Sequence, residues 1–291
     1  MIEDLTRGSH FLLDENRITE MVFPEGVEGT VKENNGIVDI EMRITKSQED
    51  PVFLCFAGYT DGVNQDIRLK LVIEENVKVT VLSRCIFPNN VRVLHKMIST
   101  VEIKRGGHLT VLEEHYHGPA AKTEIITKSD VKVGEGAVYK SSFRSIRGRM
   151  GHILLDYKTD LAEKAFADML VSIQARAHDH IEAKESAVLR GKRSRAFLKS
   201  RIVVREMAIA EVFNRLVAEG EEAQGHIDCK EITLDNGLAS TTPELITKNP
   251  TAHLTHEAYV GKLSEERLLP LMAKGLSEEE AVEMLLKAML R

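Results

Sequence analysis

The stretch HLTHEAYVGK, His253 to Lys262, reads either as a helix or as a strand, and the choice decides the fold around it. As a helix it would open the zinc motif H-E-x-x-H with His256 and Glu257. The position four after His256 is Val260, so the second imidazole is missing. As a strand it alternates. Leu254, His256, Ala258 and Val260 share one face, and His253, Thr255, Glu257 and Tyr259 the other. The strand reading holds, sending His256 toward the apolar side and Glu257 away from it.

The same alternation runs outward through the chain. Val38, Ile40, Met42 and Ile44 line one face of GIVDIEMRI; Ile67, Leu69, Leu71 and Ile73 do so in DIRLKLVI, and Val77, Val79 and Val81 in NVKVTVL. Asn35-Gly36, Gly106-Gly107, Gly134-Glu135-Gly136 and Asn236-Gly237 punctuate such segments as turns. LAEKAFADMLVSIQARA, Leu161 to Ala177, also has helical propensity. Many short β segments without βαβ alternation indicate a mainly β chain, and a sandwich, a barrel or an irregular β-solenoid all satisfy the pattern.

Composition bounds the function. The 291 residues carry 39 basic and 45 acidic side chains, a net charge of −6, which gives no general attraction for nucleic acid. No apolar run approaches the roughly 20 residues of a membrane span. The opening MIEDLTRGSH lacks the basic and apolar regions of a signal peptide, so a cytoplasmic location is expected. Cys55, Cys85 and Cys229 are widely spaced and odd in number, which favours free thiols over a disulfide framework. Tryptophan is absent and aromatics are 5%, so the core is expected to be aliphatic.

After His253–Lys262 the pattern changes to helix. Ser264 is a candidate N-cap before Glu265 and Glu266, with Leu268, Leu269, Leu271 and Met272 on the apolar side and Gly275 as the terminating residue. Ser277 to Glu280 forms a capping box opening a second helix, whose apolar face is Ala281, Val282, Leu285, Leu286 and Met289. The pair either closes the open end of the β core or offers a partner surface, with Leu285 and Met289 as anchors.

NPTAHLTHEAYVGKLSEERLLPLMAKGLSEEEAVEMLL resembles the C-terminal signature of the SufB/SufD family of iron–sulfur cluster assembly scaffolds. The likeness rests on Asn249, Pro250, Ala252, His256, Glu257, Ala258, Lys262, Gly275, Ser277, Glu278, Glu279 and Ala281; Lys274 stands where arginine is usual. Upstream, NVKVTVLSRCIFPNN and VLHKMISTVEI put Cys85, Pro88 and His95 on family positions, and GHIDCKEITLDNG does so for Cys229. The resemblance implies a right-handed parallel β-helix over residues 36–263, after an N-terminal segment of residues 1–35 and before a helical, ATPase-docking segment of residues 264–291. The long N-terminal helical region of larger bacterial members is not recognisable.

The resemblance further implies a scaffold that is not itself an enzyme. It carries a transient iron–sulfur cluster, receives sulfur from a donor, and pairs with itself or a related subunit. A separate, SufC-like ABC-type ATPase drives it; no G-x-x-x-x-G-K-[ST] occurs here. Cys229 and His256 are the implied ligands, with Glu257 beside them, because thiolate and imidazole suit iron–sulfur centres. Cys85 is the implied sulfur acceptor, with Arg84 expected to lower its thiol pKa; His95 and Lys128 are implied on the sulfur path. Glu113 and His115 replace a family Gln-x-Trp pair, and no Arg-x-Asn pair is found near FLCFAGYT. The alternative reading is a metal-dependent enzyme on an all-β scaffold. It would use His115 with His117 or His178 with His180, although solvated histidines explain those pairs as well. The basic run Arg190 to Arg201 reads as a solvated face.

Overall fold

The computed structural model describes residues 10–14, 16–87, 92–118, 122–263 and 265–290; Pro88 and Ser264 lie outside these. Among the described residues, nineteen strands form two sheets and two helices follow them. The first sheet runs, in spatial order, β19 (His253–Gly261), β17 (Gln224–Thr233), β15 (Arg195–Val204), β13 (Phe166–Ala175), β11 (Val138–Arg147), β9 (His108–His117), β7 (Lys78–Phe87), β5 (Val52–Ala57), β1 (His10–Asp14) and β2 (Arg17–Val22). The second runs β18 (Leu238–Thr247), β16 (Ile209–Ala218), β14 (His180–Leu189), β12 (His152–Leu161), β10 (Lys122–Val133), β8 (Arg92–Ile103), β6 (Val63–Ile73), β4 (Ile37–Ile44) and β3 (Val27–Asn34).

From β4 onward successive strands alternate between the sheets and pair in parallel, giving a β-solenoid of about 8 turns. Antiparallel pairing occurs at β1–β2 and β3–β4, so the strands before residue 36 belong to the same two sheets. Of the architectures open to the alternation, the parallel solenoid is the one formed. The alternating residues named from sequence point inward and are buried, from Val38 and Ile40 to Leu71, Val79 and Val81.

In register, each inward side chain rests on its counterpart one coil away: Val79 on Leu109, Leu109 on Tyr139, Tyr139 on Ala167. The helix-prone Leu161–Ala177 stretch yields to this packing. Ala167, Met169, Val171 and Ile173 are fully buried on β13, which is hydrogen-bonded on both sides. Tertiary burial outweighs a propensity difference of at most about 0.7 kcal/mol per residue.

The left-handed position of the turns between strands is often held by a residue other than glycine. Asn76, Lys164, Ala177, Arg193, Glu206, Glu222 and Asp235 take positive φ between 52° and 60°. Lys164 and Arg193 each donate their backbone N–H to a carbonyl of the next coil at 2.8 Å, which offsets the strain. Outside, charges also pair coil to coil. Arg190 bridges Asp160 and Glu219; Lys192 meets Glu221 and Arg193 meets Glu222, which neutralises the basic run.

Helices α1 (Glu265–Met272) and α2 (Glu278–Met289) close the chain, α2 with the expected Ser277–Glu280 capping box. Leu286 and Leu290 pack on Val203 and Ile232, which face outward from β15 and β17. The second helix therefore lies along the outer face of the first sheet and does not close the solenoid's end. Met289 joins this contact, so the expectation that it stands free of the solenoid fails; Leu285 is half-buried. No described helix is long and apolar enough to cross a membrane.

A Cβ at Gly191 would meet the backbone N of Glu163 at 2.0 Å, whereas at Gly136 it would meet nothing within 4 Å. Gly191→Ala is expected to cost more than about 3 kcal/mol, and Gly136→Ala, strained only by its φ, about 1 kcal/mol. Urea denaturation checks this; equal losses would mean the coils stand further apart at Gly191.

Candidate functional site

The interior is apolar except where polar side chains take inward positions; beside the expected aliphatic residues, Phe11, Phe56, Phe87 and Phe143 are fully buried. Alternation in β7 turns Cys85 inward, fully buried, and Arg84 outward, where it pairs with Glu114 at 3.1 Å. Arg84 therefore does not activate Cys85, contrary to the sequence expectation. Burial drives the Cys85 thiol well above its ordinary value, and the Glu113 carboxylate adds to this.

Cys85 Sγ lies 3.6 Å from His95 Nε2. Gln65 Nε2 donates to the Ala57 carbonyl at 2.7 Å, which turns Gln65 Oε1 toward His95 Nδ1 at 2.8 Å. A carbonyl oxygen only accepts, so Nδ1 carries the proton and Nε2 presents a lone pair to the thiol. Burial, then His115 and His117, push His95 down to about 3, so the pair rests as neutral thiol and neutral imidazole.

His115 and His117 follow inside, with ring centroids 6.2 Å from His95 to His115 and 5.6 Å from His115 to His117. They are buried, so the solvated reading of this pair is overturned. His115 Nε2 contacts Glu113 Oε1 at 2.9 Å, and Tyr157 donates its hydroxyl to Glu113 Oε2 at 3.2 Å. A cavity of about 50 Å³ beside them, lined in part by Ser83, Glu113, Thr127 and Tyr157, has room for water.

From Tyr157 a polar column continues along the second sheet. Ser99, Ser129, Tyr157, Glu185 and Asn214 occupy one register line on β8, β10, β12, β14 and β16. Burial raises Glu185 to about 8, and its Oε1 has no hydrogen-bond partner. Asn214 Nδ2 donates to Cys229 Sγ at 3.1 Å. Ser200 donates to Glu231 Oε1 at 2.5 Å on the same inward face of β17, and burial raises Glu231 to about 7. The Cys229 thiol is raised by burial, against the lowering pull of Ser200, Thr241 and Asn214.

His256 on β19 is in register with Ile227 and Ala258 with Cys229, so His256 shares the inward side, two residues from the position over Cys229. Glu257 is in register with Asp228, on the opposite side, as the alternation predicts. Both are exposed at the edge strand. Lys128 is not brought to this interior. Its neighbour Thr127 points inward and Lys128 is exposed on the outer face, off any internal path. Gln65, Glu185, Asn214 and Glu231 went unnoticed in the sequence; the signal was a polar residue at an inward position recurring about one coil later.

Residues 57–289 match the family model described as SUF system FeS cluster assembly, SufBD core domain. The chain belongs to the SufBD family. It is 31% identical over 264 residues to an iron-sulfur cluster assembly SufBD family protein of Pyrococcus horikoshii, covering 91% of this chain and 80% of the relative. A relative of the same description from Methanocaldococcus jannaschii is 28% identical over 288 residues, covering 98% and 90%. The iron-sulfur cluster assembly protein SufB of Bacillus subtilis is 26% identical over 247 residues, covering 81% of this chain and 51% of that one. Within the SufBD family's solenoid, then, Cys85 and Cys229 are the ends of one internal polar column.

Burial makes Cys85 the slow thiol. Cys55 is 7% exposed, and although burial raises its thiol, Arg84 draws it back. With iodoacetamide on the native chain at neutral pH, Cys55 is expected to label at least about tenfold faster than Cys85. Equal labelling by mass spectrometry would mean that His95 holds an accessible Cys85 thiolate.

Proposed function

We propose that this chain is a scaffold on which iron–sulfur clusters are assembled, non-catalytic in itself. It works as a homodimer or with a related subunit and with a separate ABC-type ATPase. The supporting observation is the polar column from Cys85 to Cys229 inside an otherwise apolar solenoid. An unpaired buried polar group costs about 1–3 kcal/mol, so such a column is not favoured by stability alone.

In this reading the Cys85 thiol passes its proton to His95 Nε2 and attacks the outer sulfur of a donor's persulfide. The donor's S–S bond breaks, Cys85 gains an S–S bond, and the donor leaves as a thiol. Release of that sulfur as sulfide requires two electrons from an external reductant. Cys229 and His256 are the iron ligands, with Glu257 toward the opposite side, and bound iron favours the Cys229 thiolate that burial disfavours. Lys128 has no part in this route. Because both thiols are buried, loading requires the coils near them to open. A nucleotide-driven partner is the kind of device that supplies such an opening.

Dimerisation is assigned to the open end, where β18 and β19 offer unpaired edges with Leu238, Tyr259 and Val260 exposed. For the ATPase, Leu285 and Met289 give way to Leu269, Met272 and Met284, the exposed apolar side chains of α1 and α2.

Two measurements test this. After anaerobic reconstitution with iron and sulfide, Cys229→Ala should lose most of its bound iron and Cys55→Ala should keep it; unchanged iron in the first variant removes the ligand assignment. Leu269→Asp with Met284→Asp should abolish co-purification with the ATPase and leave the melting temperature within a few degrees of wild type. An ATPase that stays bound refutes the docking face.

A further inference from the structure

Outside the solenoid, on the second sheet, a histidine ladder stands apart from everything described above. His152 of β12 and His180 of β14 are direct register partners on adjacent strands, and their rings stack with centroids 5.2 Å apart at 24°. Two positions along β14, Glu182 faces the same outer side. The donor atoms of His152, His180 and Glu182 all lie within 4.8 Å of one another.

The carboxylates are arranged around the imidazoles. Glu182 Oε1 is 3.5 Å from His152 Nε2, while Lys184 donates to the other oxygen, Oε2, at 3.4 Å. Glu211 of β16, in register with Glu182, approaches His180 Nε2 at 3.2 Å. His152 Nε2 is shielded from solvent and has no hydrogen-bond partner, an unused lone pair or proton aimed at a carboxylate. His178, the sequence neighbour first paired with His180, lies in the preceding turn and takes no part.

We propose that His152, His180 and Glu182 form a binding site for a first-row divalent metal ion of the zinc type, with Glu211 as a fourth ligand or as the carboxylate that orients His180. Two imidazoles and one carboxylate, without thiolate, suit borderline ions such as zinc rather than calcium, magnesium or copper(I). Tetrahedral ligands at about 2.0–2.1 Å from zinc sit about 3.3 Å apart, so side-chain rotation of about 1–1.5 Å closes the site. The strands that carry the ligands are hydrogen-bonded on both sides, which holds their backbones in register without the ion. An ion here would clamp two successive coils from outside, and a third where Glu211 of β16 is the fourth ligand. The site stands independently of the scaffold reading, because it uses neither cysteine and lies on the opposite face of the strands from the polar column.

The test is a zinc titration of the full chain against a chromophoric chelator, compared with His180→Ala, Glu182→Gln and, as control, His108→Ala, an exposed histidine elsewhere. Each chain's metal-free melting curve confirms folding. His180→Ala should lose one equivalent of zinc, Glu182→Gln should bind it at least about tenfold more weakly, and His108→Ala should match the wild type. The wild type and His108→Ala should gain melting temperature with that equivalent, and His180→Ala should not. If His180→Ala and Glu182→Gln retain the wild-type stoichiometry and affinity, the site does not exist, whatever zinc the cysteines bind. Sulfur ligation of that equivalent by X-ray absorption would overturn it equally.

Discussion

Everything in this molecule depends on strict register between coils. In a parallel solenoid an inward side chain has no water to face and no choice of neighbours; it rests on the same register position of the coil before and the coil after. An aliphatic residue is served well by that arrangement, as with Val79 on Leu109. A polar residue is served only if its stacked or facing neighbours are polar too. The interior therefore sorts itself into apolar lines and a polar line, and the polar line joins two cysteines far apart in sequence.

The same rule explains why this interior is electrically quiet. His95 and His117 are held near 3 by burial, Glu185 and Glu231 are raised, and the Cys85 and Cys229 thiols are raised as well. Burial thus pushes these groups toward their neutral forms, which avoids an isolated charge in a dry core. His115 stands in direct register with Cys85, at that end of the column.

The alternation was legible in the chain, because burial on one face writes itself as a period of two. The helix pair was equally plain from its capping box. What could not be read was which polar residues meet, since that depends on the length of each coil and not on local spacing. His180 invited pairing with His178, yet its partner is His152, one coil earlier. Arg84 adjoins Cys85 in sequence but occupies the other side of the strand. Leu161–Ala177 showed the converse failure, a local preference for helix cancelled by neighbours on both sides. Met289 was placed correctly on an apolar face, but its counterpart, the outward Val203 and Ile232, belongs to coils whose position the sequence does not announce.

That last contact has a mechanical meaning. The second helix reaches across the flank of the solenoid: Arg205 of the chain after β15 pairs with Glu283, Ile232 of β17 receives Leu286 and Leu290, and Arg144 of β11 donates to the Leu290 carbonyl at 3.1 Å. A stack of coils coupled only to nearest neighbours loosens from its end, one coil at a time. A strut fixed to several coils converts that fraying into a joint yield. Ile232 lies beneath the strut while its neighbour Glu231 points inward on the same face of β17 as Cys229, so a force that lifts the strut bears on the strand that carries that cysteine. The helix is, in this sense, a lever whose short arm ends beside a cysteine.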